Sequence, residues 1–383
     1  MSIPPLAVEG SLELSVRVEE GRFAALSVIN RRPLSIASAF TGQEAQAAVS
    51  LCARLFSICR MAQGLASAQA MEKAGGFDLP ASQGHARELL ILAETVLEHA
   101  GRSLLVWPDF VDQPVQLLDL KHLRRALADF HLALYPDGDW MRPGGGRLAP
   151  DLPQLTRRLA EAAEVVSRAV FAGEAPHDLS SWQHWVEQGK TTGALLARSI
   201  QSRGWADFGA SLVKPLPPIA EPALDERLRF DEGSFTATPT WDGAPQVTGP
   251  FARYAGHPLV ASLGQGLMAR LAARLVELSA ALKHMQRLVH KISADAGRTF
   301  LNASGAGLGV VEAARGRLVH RVELEQGRVT RYQILAPTEW NFHPQGALAQ
   351  GLLGHVAGDA PDLLVRHLVA ALDPCVACKI EVA

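Results

Sequence analysis

Residues 309–344 read GVVEAARGRLVHRVELEQGRVTRYQILAPTEWNFHP and contain the clearest structural pattern in the chain. Within this stretch, residues 318–325 (LVHRVELE) and 329–335 (VTRYQIL) flank a short turn, Gln-Gly-Arg. Runs rich in branched and aromatic residues on both sides of a glycine turn predict a β-hairpin. We therefore expect β structure near the C-terminal end of the sequence.

A second hairpin is predicted near the N-terminal end. Residues 11–18 (SLELSVRV) alternate strictly, and after a glycine turn residues 23–30 (FAALSVIN) continue the extended pattern. Strict alternation of apolar and polar residues is typical of a strand with one buried face. Because chain termini often lie close together, strand segments near both ends suggest that the two ends meet in space.

Most of the remaining sequence has apolar residues at helical spacing. The predicted helical regions are 43–73, 85–105, 114–134, 152–172, 180–203, 259–296 and 359–372. Residues 214–250 are rich in Pro, Gly, Asp and Thr, which predicts a long irregular connection. The expected fold class is α+β and mainly α, with a helical core and small β-hairpins near both termini.

Charge and hydropathy exclude several classes of protein. The 383 residues carry 37 Lys and Arg against 39 Asp and Glu, so a broad basic surface for nucleic acid is not expected. Neither an export signal nor an apolar stretch of about 18 residues is apparent. We therefore expect a cytoplasmic protein with reduced thiols and no membrane partner.

The four cysteines are divided between the two ends of the chain. Cys375-x-x-Cys378 is predicted to lie in a loop just after a helix, and such a pair is compatible with a metal site, a redox dithiol or two small apolar residues. Cys52 and Cys59 are two helical turns apart, which predicts that they share one helix face and fits a structural zinc site poorly. We expect Cys52 to be a small buried residue. If the ends meet, Cys59 approaches the C-terminal pair.

Two motifs carry a resemblance to a known family. Residues 54–72 (RLFSICRMAQGLASAQAME) and 372–378 (LDPCVAC) resemble the Arg-x-Cys-Gly-x-Cys and Asp-Pro-Cys-x-x-Cys motifs of nickel-iron hydrogenase large subunits. The stretch 309–344 resembles that family's Glu-Ala-Pro-Arg-Gly strand pair and Ala-Pro-Thr-x-Trp-Asn segment. The resemblance implies one large-subunit-like domain over 1–383. Its expected parts are an N-terminal hairpin (1–35), a helical core (36–300), a C-terminal β part (305–350) and a final helix with the cysteine pair (351–383).

The departures from the family pattern concern nickel. In the family, four thiolates hold nickel and iron, and the second cysteine of each motif bridges both metals. Cys59 and Cys378 match the bridging positions and Cys375 a nickel-binding position, whereas Phe56 stands at the fourth. Because phenylalanine has no lone pair to donate, the resemblance implies that the nickel set is broken and the iron set kept. Glu381 replaces the histidine after which catalytic members lose a tail, so we expect no tail cleavage.

This pattern is similar to the HupK/HoxV-type maturation proteins, which are large-subunit relatives regarded as scaffolds for an Fe(CN)2(CO) fragment. The resemblance implies a non-catalytic scaffold that holds the fragment transiently on Cys59, Cys378 and Cys375, without nickel. The implied partners are a HypC-type chaperone, a HypD-type iron protein and the immature hydrogenase large subunit.

The resemblance also places five further residues at the site. Arg315 matches the guanidinium that lies beside the cyanides, where a charge-assisted hydrogen bond would hold and orient them. Thr338, after Pro337, matches a donor to the other cyanide. Asp373 and Asp109 match acids near the site that would fix Arg315.

Three alternatives are weighed against the scaffold. A divergent catalytic large subunit is disfavoured by Phe56 and by the missing tail. Without nickel, Glu9, which matches the family's proton-transfer glutamate, is expected to be structural or to support the site residues. A quinone-interacting relative that lost its metals is disfavoured by the retained cysteines and Arg315. A zinc or redox protein would use only Cys375 and Cys378.

Overall fold

The structure is a computed structural model that describes residues 10–31 and 34–383. Glu9 lies outside the described residues, so its expected structural part stays a prediction. The strands are β1 (Ser11–Glu19), β2 (Arg22–Asn30), β3 (Lys214–Pro215), β4 (Gln246–Val247), β5 (Gly305–Ala313), β6 (Gly316–Glu325), β7 (Arg328–Leu335) and β8 (Ala377–Val382).

Helices account for most of the ordered backbone. They are α1 (Ala45–Leu55), α2 (Arg60–Ala74), α3 (Ala81–Gly101), α4 (Trp107–Phe110), α5 (Leu117–Leu127), α6 (Phe130–Leu134), α7 (Leu152–Val166), α8 (Leu179–Gln188), α9 (Thr192–Ser202), α10 (Glu221–Arg229), α11 (Ser234–Ala237), α12 (Pro250–Tyr254), α13 (Pro258–Ser262), α14 (Leu267–Leu288), α15 (Pro337–Asn341), α16 (Ala347–Leu352) and α17 (Pro361–Leu372). The 3₁₀ segments are Leu34–Phe40 and Val289–Lys291, and π turns extend α3 over Arg102–Val106 and α7 over Ser167–Phe171. Across the described ranges, none of these helices is long and apolar enough to cross a membrane.

The prediction of a mainly α fold with small sheets near both ends is confirmed, but four predicted helical regions are each split into two helices. The breaks fall where the backbone leaves the helical conformation, for example at Asp129 (φ 53°) and Gly189 (φ 58°). Apolar spacing continues across each break, so periodicity alone does not reveal it. The predicted irregular connection, 214–250, contains α10, α11 and the parallel pair β3–β4.

The chain divides into two compact units. The first contains residues 1–78, 208–253 and 300–383, and the second contains residues 79–207 and 254–299. The described residues of the second unit are helices and loops. Its buried core includes a pair between His99 of α3 and Glu277 of α14, whose Nε2 and Oε2 atoms lie 2.7 Å apart.

The first sheet joins the two ends of the chain in the order β2-β1-β8. The predicted hairpin β1–β2 is confirmed, and Leu12, Leu14 and Val16 point to the core as the alternation predicts. β8 runs parallel to β1 and places Cys378 opposite Leu12. The prediction that the two ends of the chain meet is therefore confirmed, although they meet through β8, which was not predicted as a strand.

The second sheet has the order β5-β6-β7, and the predicted β6–β7 hairpin is confirmed. The residue pattern did not indicate β5, because a glycine-rich run reads as a loop by composition, whereas the β part over 305–350 that the resemblance implied includes it. Its glycines instead lie against the small residues of α2. A Cβ atom on these glycines would overlap the backbone of α2, with the pairs Gly305–Ala74, Gly307–Ala70 and Gly309–Ala66.

These three close approaches also fix the direction of α2. Two residues of a strand and four residues of a helix both advance about 6 Å, so the contacts stay in register along the two elements. Because the residue numbers of α2 fall as those of β5 rise, the two elements run antiparallel. The first turn of α2, which follows Cys59, therefore points towards the β5–β6 turn, which contains Arg315.

Candidate functional site

Arg315 occupies the turn between β5 and β6, and its side chain is 5% exposed. Its Nε lies 3.6 Å from Oδ1 of Asp373, whose side chain is 2% exposed. Asp373 ends α17 in a left-handed conformation with φ 57°. Two opposite charges this close and this well buried stabilise each other's ionised form. The structure thus brings together the predicted guanidinium and one of its predicted acids.

The backbone of the Arg315 turn is held by residues from two other segments. The side chain of Asn341 donates to the Arg315 carbonyl (3.2 Å) and accepts from the Thr248 N–H (2.9 Å). The Thr248 hydroxyl accepts from the Arg317 N–H at 2.9 Å. Gly249 has φ 99°, and a Cβ there would lie 2.7 Å from the Arg315 carbonyl oxygen. These contacts fix the backbone conformation of the turn.

Sequence reasoning gave no role to these supporting residues. Asn341 ends the APTEWN segment, so the motif contained the residue without indicating its bond to the turn. Thr248 and Gly249 lie in the stretch that was predicted to be irregular, and nothing local distinguishes them. Only the tertiary structure shows that this stretch packs against the backbone of the Arg315 turn.

Thr338 lies in the first turn of α15, directly after the buried Pro337, which fixes the backbone at the start of this helix. Its hydroxyl is 3.0 Å from the sulfur of Cys375. The structure therefore pairs Thr338 with a cysteine of the C-terminal motif. The predicted bond from Thr338 to a cyanide stays a prediction.

The C-terminal cysteines lie in different local structures, which corrects the prediction of one loop containing both. Cys375 is in the loop after α17, whereas Cys378 is the second residue of β8. Both side chains are partly exposed. Burial raises the pKa of the Cys378 thiol to about 11. Pairing of β8 with β1 sets the position of Cys378, and this long-range contact is invisible in the local sequence.

The N-terminal cysteines do not share a helix face, so that prediction is wrong. α1 ends at Leu55, and Phe56 has a non-helical backbone with φ −110° and ψ 75°. Cys59 is the residue that precedes the first turn of α2 and is partly exposed. Phe56 itself is 4% exposed, so an apolar ring does fill this position, as expected.

Cys52 is fully buried, as predicted, and its sulfur donates to the Gln63 carbonyl at 3.7 Å. Burial raises the pKa of its thiol to about 12.

We expect iodoacetamide at pH 8 to alkylate Cys52 in the native protein at least about a hundredfold more slowly than Cys59 or Cys375, because only the thiolate is nucleophilic and a buried thiol is rarely ionised or accessible. Peptide mass spectrometry after timed quenching measures the three rates. Comparable labelling of Cys52 before unfolding would contradict the burial. Labelling of all four thiols in denaturant is the control for peptide recovery.

Comparison with known proteins gives the family. A sequence profile named nickel-dependent hydrogenase matches residues 203–381. The hydrogenase expression/formation protein HupK of Rhizobium leguminosarum bv. viciae is 30% identical over 381 residues, covering 97% of this chain and 96% of that protein. The hydrogenase expression/formation protein HoxV of Cupriavidus necator is 32% identical over 386 residues, covering 93% and 92%. The chain belongs to the HupK/HoxV family.

The fold of this HupK/HoxV family member is that of the hydrogenase large subunit. The Ni-Fe-Se hydrogenase of D. vulgaris Hildenborough in its reduced state superposes with a TM-score of 0.70, covering 94% of each chain at 19% identity. At that identity the likeness shows the fold alone. It confirms the large-subunit-like architecture that the two cysteine motifs implied.

The described residues of this HupK/HoxV family member contain no preformed metal site. Over residues 10–31 and 34–383, no group of three or more His, Cys, Asp and Glu side chains is placed to hold a metal ion. Cys59, Cys375 and Cys378 form no disulfide bond. Asp109 is exposed in α4, which belongs to the second unit. The ligand set and the part of Asp109 therefore stay predictions.

Proposed function

We propose that this protein is a non-catalytic scaffold for the maturation of a nickel-iron hydrogenase, and that its cargo is the Fe(CN)2(CO) fragment. Relatives that match nearly the whole chain are named hydrogenase expression/formation proteins. The observation that carries the proposal is Phe56. Its buried ring stands where the resemblance places a nickel thiolate, while the cysteines at the bridging positions are kept.

The chemistry of the retained cysteines suits an iron carbonyl cyanide. Low-spin ferrous iron with these ligands favours soft thiolate donors. Cys59 and Cys378 would supply two thiolates from opposite ends of the sequence, and the β1–β8 pairing supports a meeting of those ends. Without a nickel ion to share, two thiolates hold iron less permanently than in a finished cluster, and this suits a protein that must release its cargo.

The buried guanidinium of Arg315 would supply charged hydrogen-bond donors to the cyanide nitrogens. Each cyanide nitrogen accepts hydrogen bonds and has anionic character, so a charged donor binds it more strongly than a neutral one. Asp373 keeps Arg315 oriented, and Asn341 holds its backbone. The cargo would add negative charge beside a buried cation, which lowers the cost of burying that cation.

Cys375 has a different surrounding from the other two cysteines. The Thr338 hydroxyl, 3.0 Å from its sulfur, fixes the orientation of this side chain. In the proposed scaffold Cys375 assists iron binding or passes the fragment on by thiolate exchange. We further propose that the protein works in the cytoplasm, that a HypC-type chaperone and a HypD-type iron protein deliver the fragment, and that the immature large subunit receives it.

Infrared spectroscopy tests the proposal. The protein is co-expressed with the maturation machinery and purified without oxygen. We expect cyanide and carbonyl stretching bands, with iron present and nickel far below one ion per chain. A matured large subunit from the same cells is the positive control. Absence of bands in the scaffold while that control shows them would overturn the proposal, and nickel at one ion per chain with hydrogen uptake would restore the catalytic alternative.

Replacing Arg315 by lysine tests the cyanide contact. Lysine keeps the charge but loses the planar fork of donors. Because a hydrogen bond to a charged group contributes about 1.5–3 kcal/mol, we expect iron retention to fall by roughly ten- to a hundredfold. The cyanide bands should shift more than the carbonyl band. Exposed Arg328, replaced by lysine, is the matched control. Unchanged bands at full iron content in Arg315→Lys would remove Arg315 from the site.

A further inference from the structure

A chain of buried polar side chains lies against the first turns of α2. His320 of β6 is 0% exposed, and its Nε2 is 2.8 Å from Oε1 of Gln63 in α2. Its Nδ1 is 2.7 Å from the Tyr332 hydroxyl, which is 2.7 Å from the Ser67 hydroxyl. Since an amide oxygen only accepts, His320 Nε2 carries the proton of the first bond. Cys52, whose sulfur lies beside Gln63 Oε1, is the last member of this network.

Gln63 connects this network to Cys59. The backbone N–H of Gln63 donates to the Cys59 carbonyl at 2.9 Å, which is the first hydrogen bond of α2. The Cys52 thiol donates to the Gln63 carbonyl at 3.7 Å and is 3.8 Å from its Oε1. Gln63 thus contacts three residues of this region. Its N–H binds the Cys59 carbonyl, its side chain binds His320, and its carbonyl accepts from Cys52.

The segment that precedes α2 is not part of a helix or strand. Residues 56–59 lie between α1 and α2 outside any helix. Helix starts open easily because their first N–H groups lack partners within the helix. Gln63 donates the first hydrogen bond of α2, so the bond between its side chain and His320 holds the Gln63 N–H in place for the Cys59 carbonyl. The network therefore opposes fraying at the position of Cys59.

We infer that His320 and Gln63 are positioning residues that fix the first turn of α2 and thereby the placement of the Cys59 thiol. The consequence for iron rests on the proposed function, whereas the effect on Cys59 itself is a property of the metal-free protein. The two are tested separately.

The first test measures alkylation of the metal-free protein by iodoacetamide in His320→Leu and in the nearly isosteric Tyr332→Phe. Loss of one buried hydrogen bond shifts an opening equilibrium by about fivefold, so we expect the alkylation rate at Cys59, which is already partly exposed, to rise by up to about fivefold in His320→Leu, and less so in Tyr332→Phe. The rate at Cys375 should not change. Arg321→Met is the matched control, because Arg321 is equally buried in β6 but binds Asp225 and Glu323.

An unchanged Cys59 rate in a folded His320→Leu protein overturns the inference. So does an equal rise at Cys59 and Cys375, which indicates general loosening. If His320→Leu does not fold, the Tyr332→Phe rates decide by the same two criteria.

The second test uses the iron-loaded protein. In Tyr332→Phe we expect the carbonyl band to shift or broaden relative to the unsubstituted protein, with the bands of Arg321→Met unmoved. Absence of bands in the unsubstituted protein would defeat the proposed function and leave the alkylation result standing. Unmoved bands in Tyr332→Phe, at full iron content, would overturn the link between the network and the cargo.

Discussion

Replacing Cys378 by alanine is expected to remove the cyanide and carbonyl bands and to stop hydrogenase maturation. Cys378 matches a bridging thiolate, and the pairing of β8 with β1 fixes its backbone opposite Leu12. An alanine in β8 keeps the strand but leaves iron with at most two of the three proposed thiolates. We expect bound iron to fall to below about a tenth, since loss of a ligand exceeds the tenfold to hundredfold effects of losing a mere supporting contact.

The chain contains its own control for this experiment. Cys52→Ala removes a thiol that is fully buried and lies outside the proposed ligand set. Because Cys52 contacts Gln63, a small band shift is allowed in Cys52→Ala, but its bands should persist and hydrogenase activity of cells that carry it should stay near the unsubstituted level. Bands that survive in Cys378→Ala would refute the site assignment. Cys59→Ser separates the remaining readings, because a zinc or redox protein that uses only the C-terminal pair should not respond to it.

Replacing Gly309 by valine is expected to have the largest effect on stability. A Cβ at this position would overlap the Ala66 carbonyl. The nearest atoms all belong to the backbone of α2, so no flexible side chain can move aside. Overpacking of a core typically costs about 1–3 kcal/mol, and occasionally more. Because α2 and β5 are both regular elements here, we expect at least about 3 kcal/mol, which is a large part of the stability of an ordinary domain.

Chemical denaturation followed by circular dichroism measures this loss. Ala306→Val is the matched control: Ala306 lies in the same strand, is exposed and belongs to the opposite face of β5. It should change the free energy of unfolding by less than about 0.5 kcal/mol, as surface substitutions usually do. A Gly309→Val protein as stable as this control would show that α2 and β5 are not packed backbone to backbone.

Local sequence patterns were sufficient for the two hairpins and for the positions of most helices. Alternation in β1 and the glycine turns depend on neighbouring residues, so they can be predicted without knowledge of the rest of the chain. The break at Phe56 could not be predicted in this way. The helices on both sides have similar composition, and the apolar spacing continues across the break. The local pattern missed β5 for a related reason, and only the family resemblance included it: its glycines allow the close approach of α2, a contact far away in sequence.

The candidate site divides in the same way. The family motifs contain Arg315, Thr338, Asp373 and three of the four cysteines. The sequence alone therefore predicted that these residues belong to one site. The contact of Thr338 with Cys375 was absent from those predictions, as was the support of Arg315 by Asn341.

By itself, the sequence determined the family, the periodic elements and the presence of Phe56 where the family motif has a cysteine. Only the tertiary structure decided that β8 pairs with β1, that α2 runs antiparallel to β5 and that Gln63 meets His320. The physical reason is the range of the interactions. Helical periodicity and turn chemistry depend on residues a few positions apart, whereas strand partners and buried hydrogen bonds depend on which distant segments the core brings into contact.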